Sequence, residues 1–214
     1  MNLVAIARRM LRLAAAILSV RRKIVFSVDL TQVRGLAAKI PVEYSFGNAD
    51  DLPRLRIDPT FDQAALAFAR ERLEAGDRLV LAELGDELVY YSWLMLGRMD
   101  LGMRRHYSLG RDTVYSYRVF TAEAQRRRGL FGGYYAYVAE TLLPMGYVRA
   151  VTWVEVRNRA SIHAHDALGL SRIGSIWQFR LLFRVFHFVS SGTRRSMDGK
   201  HMHGSRLATA RPQA

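Results

Sequence analysis

The sequence predicts an α/β fold of the α+β kind, in which a mixed sheet is covered by helices. Two observations carry this. The runs Arg78–Leu84 and Glu87–Leu96 are apolar and β-rich, and Gly85-Asp86 joins them as a hairpin turn would. From residue 113 the chain then alternates strand, helix, strand, helix, strand, which layers helices onto a sheet. Half of the 214 residues are apolar and 11% are aromatic, enough for a sizeable core, so wholesale disorder is not expected. There is no cysteine. Disulfides, thiolate nucleophiles and cysteine metal sites are therefore excluded. A reducing cytoplasm is the expected compartment.

Taken in order, the elements follow from local pattern. Residues 1–23 read as a basic amphipathic helix: Leu3, Ile6, Ala7, Met10, Leu13, Ala14, Ile17 and Leu18 recur at helical spacing, with Arg8, Arg9 and Arg12 between them. The apolar run 13–20 is too short to span a bilayer, and Arg21-Arg22-Lys23 follows it where a cleaved signal would need small residues. Two readings stay open: a helix packed on the domain, or one lying on a membrane surface. Residues 24–30 and 41–46 read as strands, and Asp50-Asp51-Leu52-Pro53 as a helix start. Residues 61–73 form a helix with Phe61, Ala64, Ala65, Phe68, Ala69 and Leu73 on one face, ended by Gly76. After the hairpin come a strand at 113–121, a helix at 129–143 closed by Pro144 and Gly146, and a strand at 148–156. A short helix at 160–168 and a strand region at 173–183 complete the domain, which spans 24–189. Residues 190–214 read as a basic, disordered tail.

The formal net charge of +13 is uneven. Residues 1–40 hold eight Arg and Lys against Asp29 alone, and residues 172–214 hold eight against Asp198 alone. The stretch between them is nearly neutral. Such ends are either solvated tails or binders of anionic lipid, nucleic acid or acidic partners.

The segment that carries chemistry runs from Tyr117 to Gly133. A strand passes through Arg126-Arg127-Arg128-Gly129 into a helix. The first turn of a helix has four backbone N–H groups without intrahelical partners, and the helix dipole adds positive potential there. Together with the three arginines this is a phosphate-binding layout. Gly129 is expected to let the backbone approach the phosphates. A second segment, Thr152 to Ser161, runs strand, Asn158, short helix, then Leu168-Gly169-Leu170.

These two segments resemble the GNAT (Gcn5-related N-acetyltransferase) superfamily. Arg126-Arg127-Arg128-Gly129-Leu130-Phe131 is similar to its acyl-CoA loop, with Phe131 in place of the last small residue. Asn158 and Ser161 match its Asn-x-x-Ala/Ser, and Leu170 replaces a phenylalanine. The resemblance covers about residues 40–185. It implies a mixed, mostly antiparallel sheet in which the strands ending near Thr121 and Val156 splay apart. It also implies a coenzyme A thioester, acetyl-CoA by default, as co-substrate. Pantetheine would bond the backbone at Phe120 and Thr121 and touch Asn158 and Ser161. Pyrophosphate would sit on the amides from Arg127 through Leu130 and Phe131 to Gly132. An amine, on a small molecule or a protein, would attack the thioester directly.

The resemblance places His165 at the general-acid position usually held by tyrosine, where a histidine donates near neutrality; the competing reading is an exposed or capping histidine. Glu155 is the carboxylate candidate for a base, although alternation can turn it to the other side of the sheet. Tyr115, Tyr117 and Tyr91 either line the acceptor cleft or pack against a helix. His201 and His203 have no partner cluster, so no metal is expected. Two alternatives are carried: a membrane-associated enzyme taking long acyl chains from CoA or an acyl carrier protein, and a non-catalytic binding module. Further expectations are contact of the N-terminal helix with anionic membrane at the inner face, no specific nucleic acid, and compatibility with a homodimer.

Overall fold

The computed structural model of the chain describes residues 18–33, 36–102, 105–181 and 184–198. Strand β1 (Leu18–Asp29) is followed by β2 (Glu43–Gly47), a 3-10 helix (Ala49–Ile57) and helix α1 (Gln63–Glu74). Strands β3 (Arg78–Leu84), β4 (Glu87–Leu96), β5 (Arg98–Gly102), β6 (Arg105–Ser108) and β7 (Thr113–Thr121) come next. Helix α2 (Leu130–Leu142), β8 (Arg149–Glu155), α3 (Arg159–Ala167), β9 (Ser171–Leu181), β10 (Arg184–Val189) and α4 (Ser191–Asp198) complete the chain.

The α+β expectation holds: a mostly antiparallel sheet is flanked by helices. Several local expectations need correction. Residues 18–23, read as the end of an amphipathic helix, are strand, and the Val156 N–H donates to the Arg22 carbonyl at 3.1 Å. A ladder partner far away in sequence overrides the helical spacing there. The rest of that expected helix, 1–17, lies outside the described residues. The expected disordered tail begins instead with α4, and 199–214 lie outside the described residues. The β5–β6 pair and β10 were not foreseen.

The chain divides into two compact units, Ser27–Thr152 and Met1–Phe26 with Trp153–Ala214. In the unit of residues 27–152 the strands bond in the order β8-β7-β4-β3-β2. Strands β7 and β8 are parallel, through Thr113–Arg149, Val114–Ala150 and Tyr115–Val151. The β2–β3, β3–β4 and β4–β7 pairs are antiparallel. Leu52 and Leu55 of the 3-10 helix, with Phe61, Ala65 and Ala69 on and beside α1, bury one face against Leu79, Leu81, Tyr91 and Trp93. Ala64 and Phe68, placed on that face by spacing alone, are exposed. Helix α2 has Tyr134, Tyr135, Val138 and Ala139 buried, and Tyr134 packs on Tyr90 of β4 at 5.5 Å. Each large side chain fully buried contributes about 1.5–3 kcal/mol.

A polar cluster ties α1 to the sheet. The Asp77 carboxylate is buried and accepts from Tyr117 at 2.7 Å and Arg98 at 3.1 Å. Arg72 lies 3.7 Å from Asp77 and 3.1 Å from Asp100. A charge so enclosed persists only when its lone pairs are occupied.

In the other unit the strands bond in the order β10-β9-β1-β8. Strands β9 and β10 form an antiparallel hairpin. The bare Cα of Gly174 makes room for Thr193 of α4, which is fully buried. Among the described residues no helix is long and apolar enough to cross a membrane.

Candidate functional site

The strand–loop–helix corner expected to hold phosphate differs in detail from its sequence reading. After β7 the chain makes a 3-10 turn at Glu123–Gln125, then a tight turn in which Arg127 has φ 64° and Gly129 φ 77°. Gly129 is the N-cap of α2. Among the described residues the N–H groups of Arg127, Arg128, Gly129 and Leu130 donate to no loop, turn or cap carbonyl. Gly132 does: its N–H bonds the Gly129 carbonyl at 3.0 Å, so it leaves the expected set of phosphate donors. Arg126 pairs with the exposed Glu123 at 3.5 Å, whereas Arg127 and Arg128 are exposed and enter no ion pair among the described residues. Two unengaged guanidinium groups thus surround a helix start with open amides.

Gly129 earns its place differently from the expectation. Its left-handed φ is one reason. The other is a crossing backbone: a Cβ on Gly129 would lie 3.1 Å from the Ala37 carbonyl oxygen and 3.3 Å from the Lys39 nitrogen. Lys39 N–H in turn donates to the Arg128 carbonyl at 2.7 Å. One turn on, a Cβ on Gly133 would sit 2.6 Å from the Tyr44 hydroxyl, which donates to the Leu130 carbonyl at 2.7 Å. Segment 37–39 and Tyr44 therefore brace the loop from behind. The sequence clue was a pair of glycines four apart, one face of a helix stripped of side chains.

Beside this loop, β7 has an open edge. Its parallel rungs with β8 stop at Tyr115–Val151, while pairing with β4 continues to Tyr90–Thr121. From Ser116 to Thr121 one edge of β7 thus has no strand partner among the described residues, which is the expected divergence of the two strands. Arg118 sits there with φ 53°, and the register with β4 shifts between Tyr91 and Trp93. This is a β-bulge, a device that frees and re-aims backbone groups. It puts Tyr117 and Phe120 on the same face, so Phe120 stacks on Tyr91 at 5.6 Å and offers only its backbone to the open edge.

The tyrosines predicted to meet the acceptor are mostly structural. Tyr115 is buried and stacked on Tyr117 at 5.3 Å. The Tyr117 hydroxyl is committed to Asp77. The Tyr91 hydroxyl donates to Asp58 at 2.7 Å. Burial drives all three phenols well above their ordinary pKa. The residues that sequence reasoning missed are Asp58 and Arg118. Burial pushes the Asp58 carboxyl up, but bonds from Thr60 and Tyr91 and the nearby Arg118 charge outweigh it and hold the pKa low. Asp58-x-Thr60, a side-chain turn, was the available signal. Nothing in sequence marks a left-handed arginine.

The remaining predicted residues lie in the other unit. Asn158 caps α3, its side chain accepting from the Ser161 N–H at 3.1 Å, so its carbonyl oxygen is already engaged. His165 is corrected: its Nδ1 lies 2.6 Å from the Ser161 carbonyl and its ring 4.8 Å from Phe26. A carbonyl only accepts, so Nδ1 carries the proton. Burial lowers the pKa, so the imidazole is neutral near pH 7 and its Nε2 is a proton acceptor. A neutral imidazole thus stands where the resemblance places the general acid. It is also neither exposed nor a cap; its apolar helix face buries it. Glu155, half-buried at the end of β8, pairs with Arg21 at 3.3 Å. His201 and His203 lie outside the described residues, which hold no metal-binding cluster.

No family model matches the chain, and neither does any curated protein. Solved structures do. A functionally unknown conserved protein from Staphylococcus epidermidis is similar with TM-score 0.59 at 10% identity, over 84% of this chain and 67% of that one. A GNAT-family acetyltransferase from Colwellia psychrerythraea gives 0.55 at 13%, over 77% of this chain and 57% of its own. AAC(6')-Iy, solved with the bisubstrate analogue CoA-S-monomethyl-acetylneamine, gives 0.50 at 17%, over 62% and 92%. The chain thus spans little more than half of the Colwellia protein. At these identities the likeness is one of fold: the chain has the GNAT fold.

Proposed function

We propose that this chain is an acyltransferase that takes its acyl group from a coenzyme A thioester, acetyl-CoA by default, and passes it directly to an amine. One observation carries the reading. The open amides of Arg127 to Leu130 and the unengaged Arg127 and Arg128 stand just past an unpartnered edge of β7. A pyrophosphate fits the first feature and the two amides of a pantetheine arm fit the second, bonding as an added strand would. Phe120 and Thr121 supply that edge, and Leu130 and Phe131 begin the helix beneath the phosphates.

In the transfer, the amine nitrogen bonds the acyl carbon as the carbon–sulfur bond breaks. The amine gives up a proton and the departing thiolate gains one. A backbone N–H can polarise the thioester carbonyl, so no side chain is required for that step. With His165 neutral and Glu155 paired, water is the simplest proton carrier. The acceptor is an amine on a small molecule or a protein.

Titration calorimetry with acetyl-CoA tests this. Binding is expected in the micromolar range, and Arg127→Glu or Arg128→Glu should weaken it at least about tenfold through repulsion of the phosphates. Both side chains are exposed, so folding should be unaffected. Absence of binding at millimolar ligand removes the reading. Gly129 is unsuitable as the probe, because any side chain there strikes segment 37–39.

A further inference from the structure

The β9–β10 hairpin has one covered face and one open face. Ile176, Val185, His187 and Val189 point to the covered side, which α4 shields with Met197. Their alternates point to water. Trp177 is 37% exposed, Leu181 51% and Phe188 58%. Cross-strand register pairs Trp177 with Phe188, Phe179 with Phe186 and Leu181 with Arg184, so these six share a face. The rings touch: Trp177 stacks on Phe179 at 6.2 Å, and Phe179 meets Phe188 edge-on at 5.4 Å. On β1 the Arg22 guanidinium lies 5.1 Å over Trp177, and Val20, two residues earlier on the same side of the strand, is 47% exposed. The result is a continuous aromatic surface edged by arginines.

We propose that this face docks on an anionic lipid bilayer. Exposed apolar patches rimmed by polar groups mark interaction sites. Charge selects the partner. Residues 1–26 and 153–214 hold sixteen Arg and Lys against Glu155, Asp166 and Asp198, so this unit carries the whole +13 of the chain. No acid lies in β9 or β10, or in β1 before Asp29. Trp and Phe settle at the headgroup level, and arginines beside them reach the phosphates while their stems stay apolar. Single-stranded nucleic acid would stack its bases on open ring faces; here Arg22 lies over Trp177, Phe179 and Phe188 meet edge-on, and the aliphatic Leu181 and Val20 extend the surface. The proposal is independent of the acyl-transfer reading.

Vesicle co-sedimentation of the full chain tests it, comparing phosphatidylcholine with phosphatidylcholine holding about one third phosphatidylserine. Binding is expected to the anionic vesicles only. Phe188→Ser and Leu181→Ser should each weaken it roughly tenfold, the effect of leaving one large side chain out of the interface. Brominated lipid in the same vesicles should quench wild-type fluorescence more than that of Trp177→Phe, a readout that needs no polar substitution. The idea is overturned by any of four results: no anionic binding, binding unchanged in the Phe188→Ser/Leu181→Ser double variant, equal quenching, or a solution dimer that Phe188→Ser dissociates. Loss of oligothymidylate binding in the double variant while vesicle binding persists would equally reassign the face to nucleic acid.

Discussion

The two units of this chain handle charge in opposite ways. Residues 27–152 hold sixteen Arg and Lys against sixteen Asp and Glu, and spend many of them on each other. Asp77 is enclosed by Arg72, Arg98 and Tyr117, and Arg54 bridges Asp51 and Glu83. The other unit has sixteen against three, and leaves an aromatic face open. The neutral unit is built to hold a few cations unpaired, Arg127 and Arg128, against a compensated background. In the charged unit the excess is spread wide. A localised, ordered positive spot suits a small polyanion, while a broad field suits an extended anionic surface.

The contrast can be broken first at Asp77. Asp77→Ala should destabilise the protein by about 3 kcal/mol, because it leaves the Tyr117 hydroxyl without its partner and Arg72 with Asp100 alone, and added salt should change that cost little. Urea unfolding with and without salt measures it; a cost below about 1 kcal/mol would mean the cluster is solvated. Gly129→Ala comes next, at about 1–2 kcal/mol from the left-handed φ plus the contact with Ala37. Acetyl-CoA affinity should fall with it, since segment 37–39 and the loop move together. Unchanged stability would show that the crossing segment is not packed there.

The smallest effect is a pH dependence in the charged unit. The His165 pKa is lowered by burial, so below about pH 6.5 the unfolded chain binds more protons than the folded one. Stability should therefore fall as pH drops from about 6.5 toward the folded value, by less than about 1.4 kcal/mol per pH unit. Nuclear magnetic resonance of the imidazole should show titration below the ordinary histidine value. Titration at or above it would restore His165 as an acid.

Strands β3, β4 and β7, and helix α2 within a residue, were legible in sequence because each carries its own signal: a turn dipeptide, β-branched and aromatic runs, a glycine and a proline stop. Residues 18–23 were misread because helical spacing alone does not know of β8. The arginine loop was legible as a positive helix start. Its bracing by Ala37–Lys39 and Tyr44 was not, since those contacts span some 90 residues. The catalytic side chains were the least legible. His165 and Glu155 were placed by their positions along the chain; the burial of the one and the ion pair of the other are tertiary and were not readable there.

By itself the sequence determined β3, β4, β7 and α2, the absence of thiol chemistry and where a helix begins beside three arginines, because turns, periodicity and charge are local properties. Only the tertiary structure decided which amides stay open, which arginines stay unpaired, where β7 parts from β8 and which aromatic face meets water. Those outcomes depend on partners brought together from distant parts of the chain, and a residue's neighbours in space set its solvation, its protonation and its freedom to bind.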